Sequence, residues 1–183
     1  MSDADAPEPD PDAADPREDA NERHETPVES EDHEAHVEVV RARGHENVTA
    51  EHASTFEFTT DDWLTPAGDC IVGVAADRTP RDFSAAFREA CRDPDATITA
   101  TITVEENGDG GRTHTARIVG RGDPGLALVD DRSMVGRTSE YTDDERTILV
   151  DADAAAADLD RDLVAALAGG REVEVELRLE VRP

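Results

Sequence analysis

Lysine is absent from this chain: all 18 basic residues are arginine, set against 45 acidic ones for a formal net charge of −27. A shortage of positive charge this deep excludes a duplex nucleic-acid partner, because no basic surface is left to neutralise phosphates. It also sets the working medium. In dilute buffer such a charge pushes a compact domain apart, whereas in molar salt the Debye length falls to about 3 Å and the carboxylates serve solubility. The composition is the one expected of a salt-filled cytoplasm such as a haloarchaeal one.

Cysteine and long apolar runs are equally scarce. Cys70 and Cys91 stand far apart with no CxxC or other metal-ligand spacing, which reads as two reduced, buried thiols in an intracellular protein. No stretch is apolar over 18 residues, and no basic N-terminal region leads into an apolar core. The expectation is a soluble protein with no membrane span and no signal peptide. Walker, GxSxG, kinase and dinucleotide GxGxxG patterns are missing as well; Gly120-Arg121-Gly122 lacks both the third glycine and a following helix.

What is present falls into two materials. Residues 1–35 are acidic, proline-rich and nearly free of apolar side chains; such a segment cannot offset its ordering entropy and is expected to be disordered. His24, His33 and His36 lie in or beside it and read as solvated spacer rather than metal ligands. Residues 36–183 form the single expected domain. "VEVVRAR" (37–43) is a short strand, and "VTAEHASTFEFTT" (48–60) alternates, with Val48, Ala50, His52, Ser54, Phe56 and Phe58 on one face. "CIVGVAA" (70–76) has the continuous apolar character of a strand covered on both faces. Thr79-Pro80 opens a helix over about 80–92, with Phe83, Ala86, Phe87, Ala90 and Cys91 along its stripe. "ATITATITV" (96–104) alternates cleanly, and "ENGDGG" is turn chemistry.

The second half repeats the order. Residues 113–120 form a strand, 126–137 one or two short strands, 146–152 an apolar strand, 154–168 a helix closed by Gly169-Gly170, and 172–181 a last strand. "TDD" recurs at 60–62 and 142–144. With "VAAD" (74–77) laid over "VDAD" (150–153), Phe83, Phe87 and Cys91 fall on Leu159, Leu163 and Leu167. The expected fold class is mainly β: a sandwich or barrel with two helices, built from two pseudo-repeated β-β-β-α-β halves at about 37–105 and 112–182, with α+β as the alternative.

Three stretches carry candidate chemistry. "RGHEN" (43–47) offers His45 and Asn47, with Gly44 and Asn47 suited to a turn. His52 shares the strand face of Phe56 and Phe58, the usual setting of a satisfied core histidine. "TPAGDCIVGV" (65–74) holds Asp69, suited to capping backbone amides, and Cys70, whose sequence neighbours lack the electropositive setting of a reactive thiol. "RTSEYTDDERT" (137–147) groups Arg137, Ser139 and Arg146, able to hold a carboxylate or phosphate through forked hydrogen bonds or to pair with surrounding acids.

The segments "RARGHENVTAEHASTFEFT", "LTPAGDCIVGVAAD", "MVGRTSE" and "RTILVDADAAAADLDRDLV" resemble the archaeal family called domain of unknown function 371, in family order and over roughly residues 37–181. The resemblance implies a cytosolic archaeal protein with a jelly-roll-like domain and no established activity. It implies motif positions at Gly44, His45, Asn47, His52, Thr55 and Glu57, at Gly68, Asp69 and Cys70, and at Arg137, Ser139, Arg146 and Thr147. The chain departs from the pattern with Glu46 for a typical Pro, Ala53 for Lys and Ala67 for Arg, which removes cations from the candidate region. Three functions remain in view. A binding domain would take a small ligand or protein partner through Asn47, His52, Cys70, Arg137, Ser139 and Arg146. An enzyme, hydrolase-like, would use His45 as general base oriented by Asp69. A structural subunit would use the polar motifs only as turns. No metal site and no particular cofactor is indicated.

Overall fold

The computed structural model describes residues 35–106 and 111–181. The expected disordered tail, apart from Ala35, and the tip of the "ENGDGG" turn lie outside the described residues. The first half runs β1 (His36–Arg43), β2 (Thr55–Thr59), β3 (Ile71–Gly73), a 3₁₀ turn (Pro80–Asp82), α1 (Ala85–Ala90) and β4 (Ala96–Glu105). The second half runs β5 (Thr113–Arg121), β6 (Ser133–Arg137), β7 (Thr147–Leu149), a 3₁₀ turn (Ala156–Asp158), α2 (Arg161–Ala168) and β8 (Glu172–Val181). One four-stranded sheet has the order β1-β8-β4-β5, antiparallel throughout. The other has the order β3-β2-β6-β7, with an antiparallel centre and a parallel pair on each side. Among the described residues the fold is mainly β, two sheets with two α-helices. Among the described residues no helix is long and apolar enough to cross a membrane.

Alternation builds the first sheet. In β4, Ile98, Ala100, Ile102 and Val104 are buried, as are Val173, Val175, Leu177 and Leu179 of β8, and both sets join one apolar cluster with the second sheet and the helices. Burying one such side chain contributes about 1.5–3 kcal/mol. Phe56 and Phe58 of β2 bring the second sheet into that cluster. The Phe56 ring lies over Gly136, its cross-strand partner on β6, where an added Cβ would clash with the ring. Phe83, Phe87 and Cys91 are buried under one half, Leu159, Leu163 and Leu167 under the other.

Several expected elements are shorter than their periodicity suggested. The strand read over 48–60 is confined to Thr55–Thr59, because Ala50 takes φ +48° and turns the chain before His52. The helix read over 80–92 divides into the Pro80–Asp82 turn and α1, leaving Ala86 exposed. Thr79 does start the turn: its N–H and hydroxyl both donate to Asp82 Oδ2, at 3.0 and 3.1 Å. The helix read over 154–168 divides in the same way, with the Asp160 side chain capping α2 and Gly169-Gly170 ending it, Gly170 at φ +75°. Of residues 126–137, only Ser133–Arg137 pairs as a strand, since Leu128 also takes a positive φ, +53°.

Several features of the first half recur in the second. Exchanging β1 with β5, β2 with β6, β3 with β7 and β4 with β8 returns each sheet to itself. Arg43 and Val74 exchange backbone hydrogen bonds of 2.9 and 2.8 Å, as Arg121 and Val150 do at 2.9 and 3.1 Å. Asp77 Oδ1 accepts from Arg41 N at 2.8 Å, and Asp153 Oδ1 accepts from Val119 N at 2.8 Å. Positive φ recurs at Ala50 and Leu128 and at Ala75 and Asp151.

Candidate functional site

The outer face of the second sheet is polar yet largely covered. Thr55, Glu57 and Thr59 alternate with the core phenylalanines of β2, and Ser133 on β6 and Thr147 on β7 flank them; all five are buried. The loops 60–70 and 138–146 bring side chains onto this face. Glu57, only 8 % exposed, accepts from Arg146 Nη1 at 3.0 Å through Oε1 and from Cys70 Sγ at 3.5 Å through Oε2. Arg146 also reaches Ser133 Oγ at 3.5 Å. A buried carboxylate needs such partners to remain charged.

A second polar knot sits beside it. Asp144 accepts from the Thr147 hydroxyl at 2.8 Å, from Thr147 N at 2.9 Å and from Arg146 N at 3.1 Å, and it pairs with Arg137 Nη2. Arg137 Nε donates to Thr147 Oγ1 at 2.8 Å, and the guanidinium lies 4.9 Å from the centroid of the Tyr141 ring. Burial pushes the Asp144 carboxyl upward, but the Thr147 hydroxyl and amide and the Arg137 guanidinium outweigh it and hold the group below the usual carboxylate range. Burial, then the charge of Glu57, pushes the Cys70 thiol up to about 11, and burial pushes Cys91 to about 12. Both are poor nucleophiles at neutral pH.

The histidines and Asp69 do structural work in their loops. His45 Nδ1 accepts from Asn47 N at 3.1 Å, and the Asn47 amide donates to Leu64 O at 2.7 Å. Asp69 O accepts from Glu51 N at 3.0 Å and from His52 N at 3.3 Å. Loop 44–52 is thereby laced to loop 60–70. No hydrogen bond joins the described His45 and Asp69 side chains. His52 lies off the strand, its Nδ1 bonded to Thr55 Oγ1 at 2.9 Å. Ser139 is exposed and offers its backbone oxygen to Asp151 N at 3.2 Å. Gly44 donates to Arg171 O at 2.7 Å and passes so close to α2 that a Cβ would lie 2.6 Å from the Leu167 carbonyl carbon. Of the candidate residues, the structure gathers Cys70, Arg137 and Arg146 on one face, with His52 at its end, and leaves His45, Asn47 and Asp69 as the lacing.

Beside Glu57 a cleft of about 610 Å³ opens between loop 60–70 and β6, lined by Glu57, Thr59, Trp63, Gly68, Ile71 and Arg146 among others. Trp63, the one tryptophan of the chain, is 58 % exposed there. At the rim Arg132 holds Asp61 Oδ2 through Nε and Nη2, at 3.1 and 2.6 Å. Trp63 and Asp144 carry no motif signal in the sequence, and Glu57 enters there only as a motif position that the family resemblance implies. A lone tryptophan within the polar "TDDWLTP" was the available signal for the first. Nothing in the alternation of β2 announced that the outward Glu57 would be covered.

A family model described as "Domain of unknown function (DUF371)" matches residues 40–180. The chain belongs to the DUF371 family. It is also 38% identical over 135 residues to "Uncharacterized protein MJ0206" of Methanocaldococcus jannaschii, covering 74% of this chain and 93% of that protein. The DUF371 match runs from within β1 to within β8, so the cleft, the Cys70–Glu57–Arg146 chain and the lacing at Asn47 all fall inside it.

Proposed function

We propose that the domain is a binding module whose small polar ligand seats in the Trp63 cleft. The observation that carries this reading is the buried Glu57–Arg146 pair beside an exposed tryptophan in one concavity. Apolar rings beside a few fixed polar groups are the usual make-up of ligand pockets, and this cleft combines both. Glu57 and Asp61 are already paired with Arg146 and Arg132, and the cysteine beside Glu57 is protonated at neutral pH. That state suits recognition better than proton transfer or nucleophilic attack. The net charge of −27 and the all-arginine basic set support a high-salt cytosol as its setting. The matching hydrogen bonds and strand exchange support a domain built from two copies of one unit, each giving three strands, a helix and a fourth strand.

A thermal-shift screen in molar KCl tests the binding reading, using divalent metals, nucleotides, phosphate esters, organic acids and amines on the wild type and on Trp63→Ala. A ligand at 100 times its Kd stabilises the fold by about 2.7 kcal/mol, a shift of roughly 5–10 °C in a domain of this size. The shift should vanish in Trp63→Ala. A ligand that stabilises both proteins equally places the site elsewhere and defeats the reading.

A further inference from the structure

The second half of the chain supplies an internal comparison for the cleft. Hydrogen bonds put the two halves in register. Glu51 N and His52 N donate to Asp69 O as Val129 N and Asp130 N donate to Glu145 O; Glu57 N donates to Cys70 O as Val135 N donates to Arg146 O. Ala75 N donates to Asp61 O as Asp151 N donates to Ser139 O, and Ala76 N to Thr59 O as Ala152 N to Arg137 O. Thr59 therefore corresponds to Arg137. Two residues on from Asp61 and Ser139, Trp63 corresponds to Tyr141. Two residues back from Cys70 and Arg146, Gly68 corresponds to Asp144. Strand pairing sets Ile71 against Glu57 as it sets Thr147 against Val135, so Ile71 corresponds to Thr147.

In the second half these positions are filled by the chain itself. The Arg137 guanidinium lies against the Tyr141 ring at 4.9 Å and is held by Asp144 and Thr147. In the first half the aromatic ring is kept, as Trp63, but Thr59, Gly68 and Ile71 stand where Arg137, Asp144 and Thr147 would be, and all three line the cleft. Thr59 and Gly68 are shorter and uncharged, and Ile71 lacks the hydroxyl through which Thr147 holds Arg137. The open volume beside Trp63 is thus the counterpart of a place that takes a guanidinium next to an aromatic face. The charges agree with that comparison: Glu57, Asp61 and Asp130 line the cleft against Arg132 and Arg146, an excess of one carboxylate.

We propose that the Trp63 cleft takes an organic cation, a guanidinium or substituted ammonium, packed on the indole face and balanced by the one carboxylate in excess among Glu57, Asp61 and Asp130. The inference rests on the binding reading above and on the correspondence of the halves. A cation on an aromatic face is attracted by the ring quadrupole, most strongly for indole. The attraction is greatest where water is partly displaced, as it is in a concavity.

Because the chain has one tryptophan, indole emission reports the cleft directly. Methylguanidinium and tetramethylammonium chlorides are titrated into the full chain in molar KCl, with acetate and benzoate as the opposite charge class. The cations should change the emission saturably and bind at least tenfold more tightly than the carboxylates, and Glu57→Gln should weaken them at least tenfold. Thr59→Arg, which places a guanidinium beside Trp63 as Arg137 stands beside Tyr141, should move the emission toward that of the cation-saturated wild type and abolish the titration. Saturation by carboxylates alone overturns the cation assignment and leaves the binding reading intact. An emission that answers to neither class, nor to Thr59→Arg in a protein shown folded by circular dichroism, sinks both. Should Thr59→Arg fail to fold, Glu57→Gln decides: an undiminished cation affinity overturns the proposal.

Discussion

Replacing Gly44 by alanine tests the scaffold of the cleft at its tightest point. The glycine is needed for close approach, since its N–H donates to Arg171 O at 2.7 Å and the new Cβ would lie 2.6 Å from the carbonyl carbon and 2.7 Å from the Cα of Leu167. Ordinary carbon contacts begin near 3.5 Å, so β1 and the end of α2 must part by about an ångström. Overpacking of this kind costs about 1–3 kcal/mol, and stretching the Arg171 hydrogen bond adds about 1 kcal/mol. A total of about 2–4 kcal/mol lowers Tm by roughly 5–15 °C in a domain of this size. Thermal melts followed by circular dichroism in molar KCl give the number, with Gly169→Ala as the control. At Gly169 φ is −73° and the nearest new contact is 3.2 Å, to Ala166 O, so alanine there should be neutral or slightly stabilising. A Gly44→Ala protein that melts within about 1 °C of wild type would refute the close-approach argument.

Other perturbations reach the site itself. Asn47→Ala removes the bond to Leu64 O and should cost about 1–2 kcal/mol, with a red shift of Trp63 emission as loop 60–70 loosens. Alkylation of Cys70 by iodoacetamide should be very slow at pH 8 and rise about tenfold per pH unit toward its pKa of about 11; Glu57→Gln should lower that pKa and speed the reaction, and an unchanged profile would mean that Glu57 does not face the thiol. Asp144 has a depressed folded pKa, so its stabilisation is fully present above the unfolded value of about 3.9 and is lost as pH falls through the folded one. Asp144→Asn should therefore be less stable than wild type at pH 7 in urea melts, with the difference closing in strong acid; a difference constant with pH would assign the loss to packing alone.

Local chemistry was readable wherever one residue type sufficed. The alternating threonines of β4 and the glycine stop after α2 stand where composition placed them. Thr79-Pro80, by contrast, starts a 3₁₀ turn rather than the helix itself, and the turn after Gly44 falls at Glu46-Asn47, with no positive φ at Gly44 or Asn47. The breaks at Ala50 and Leu128 are not legible in the sequence because neither residue favours a positive φ; at Ala50 the chain is held by Arg161, which donates to Thr49 O and Ala50 O at 3.1 Å each. Strand alternation showed that Glu57 points away from Phe56 and Phe58, but only long-range placement of Cys70 and Arg146 shows that it is covered. The site was legible in part for the same reason. Cys70, Arg137 and Arg146 were recognisable from motif resemblance, whereas the cleft exists only as a relation between loop 60–70 and β6.

The interlacing of the first sheet has a consequence for how the chain acquires its structure. All of its pairings, β1 with β8, β8 with β4 and β4 with β5, join one half of the chain to the other. Neither half can assemble that sheet alone, and His36 must find Leu179 across nearly the whole length of the domain. Such non-local pairing folds slowly, because loop-closure entropy is lost before the contacts form. During synthesis β1 and β4 emerge long before β8, the strand that must lie between them, and wait as unpaired edges. The dense negative charge that keeps the finished protein apart from its neighbours would protect the nascent chain during that wait as well.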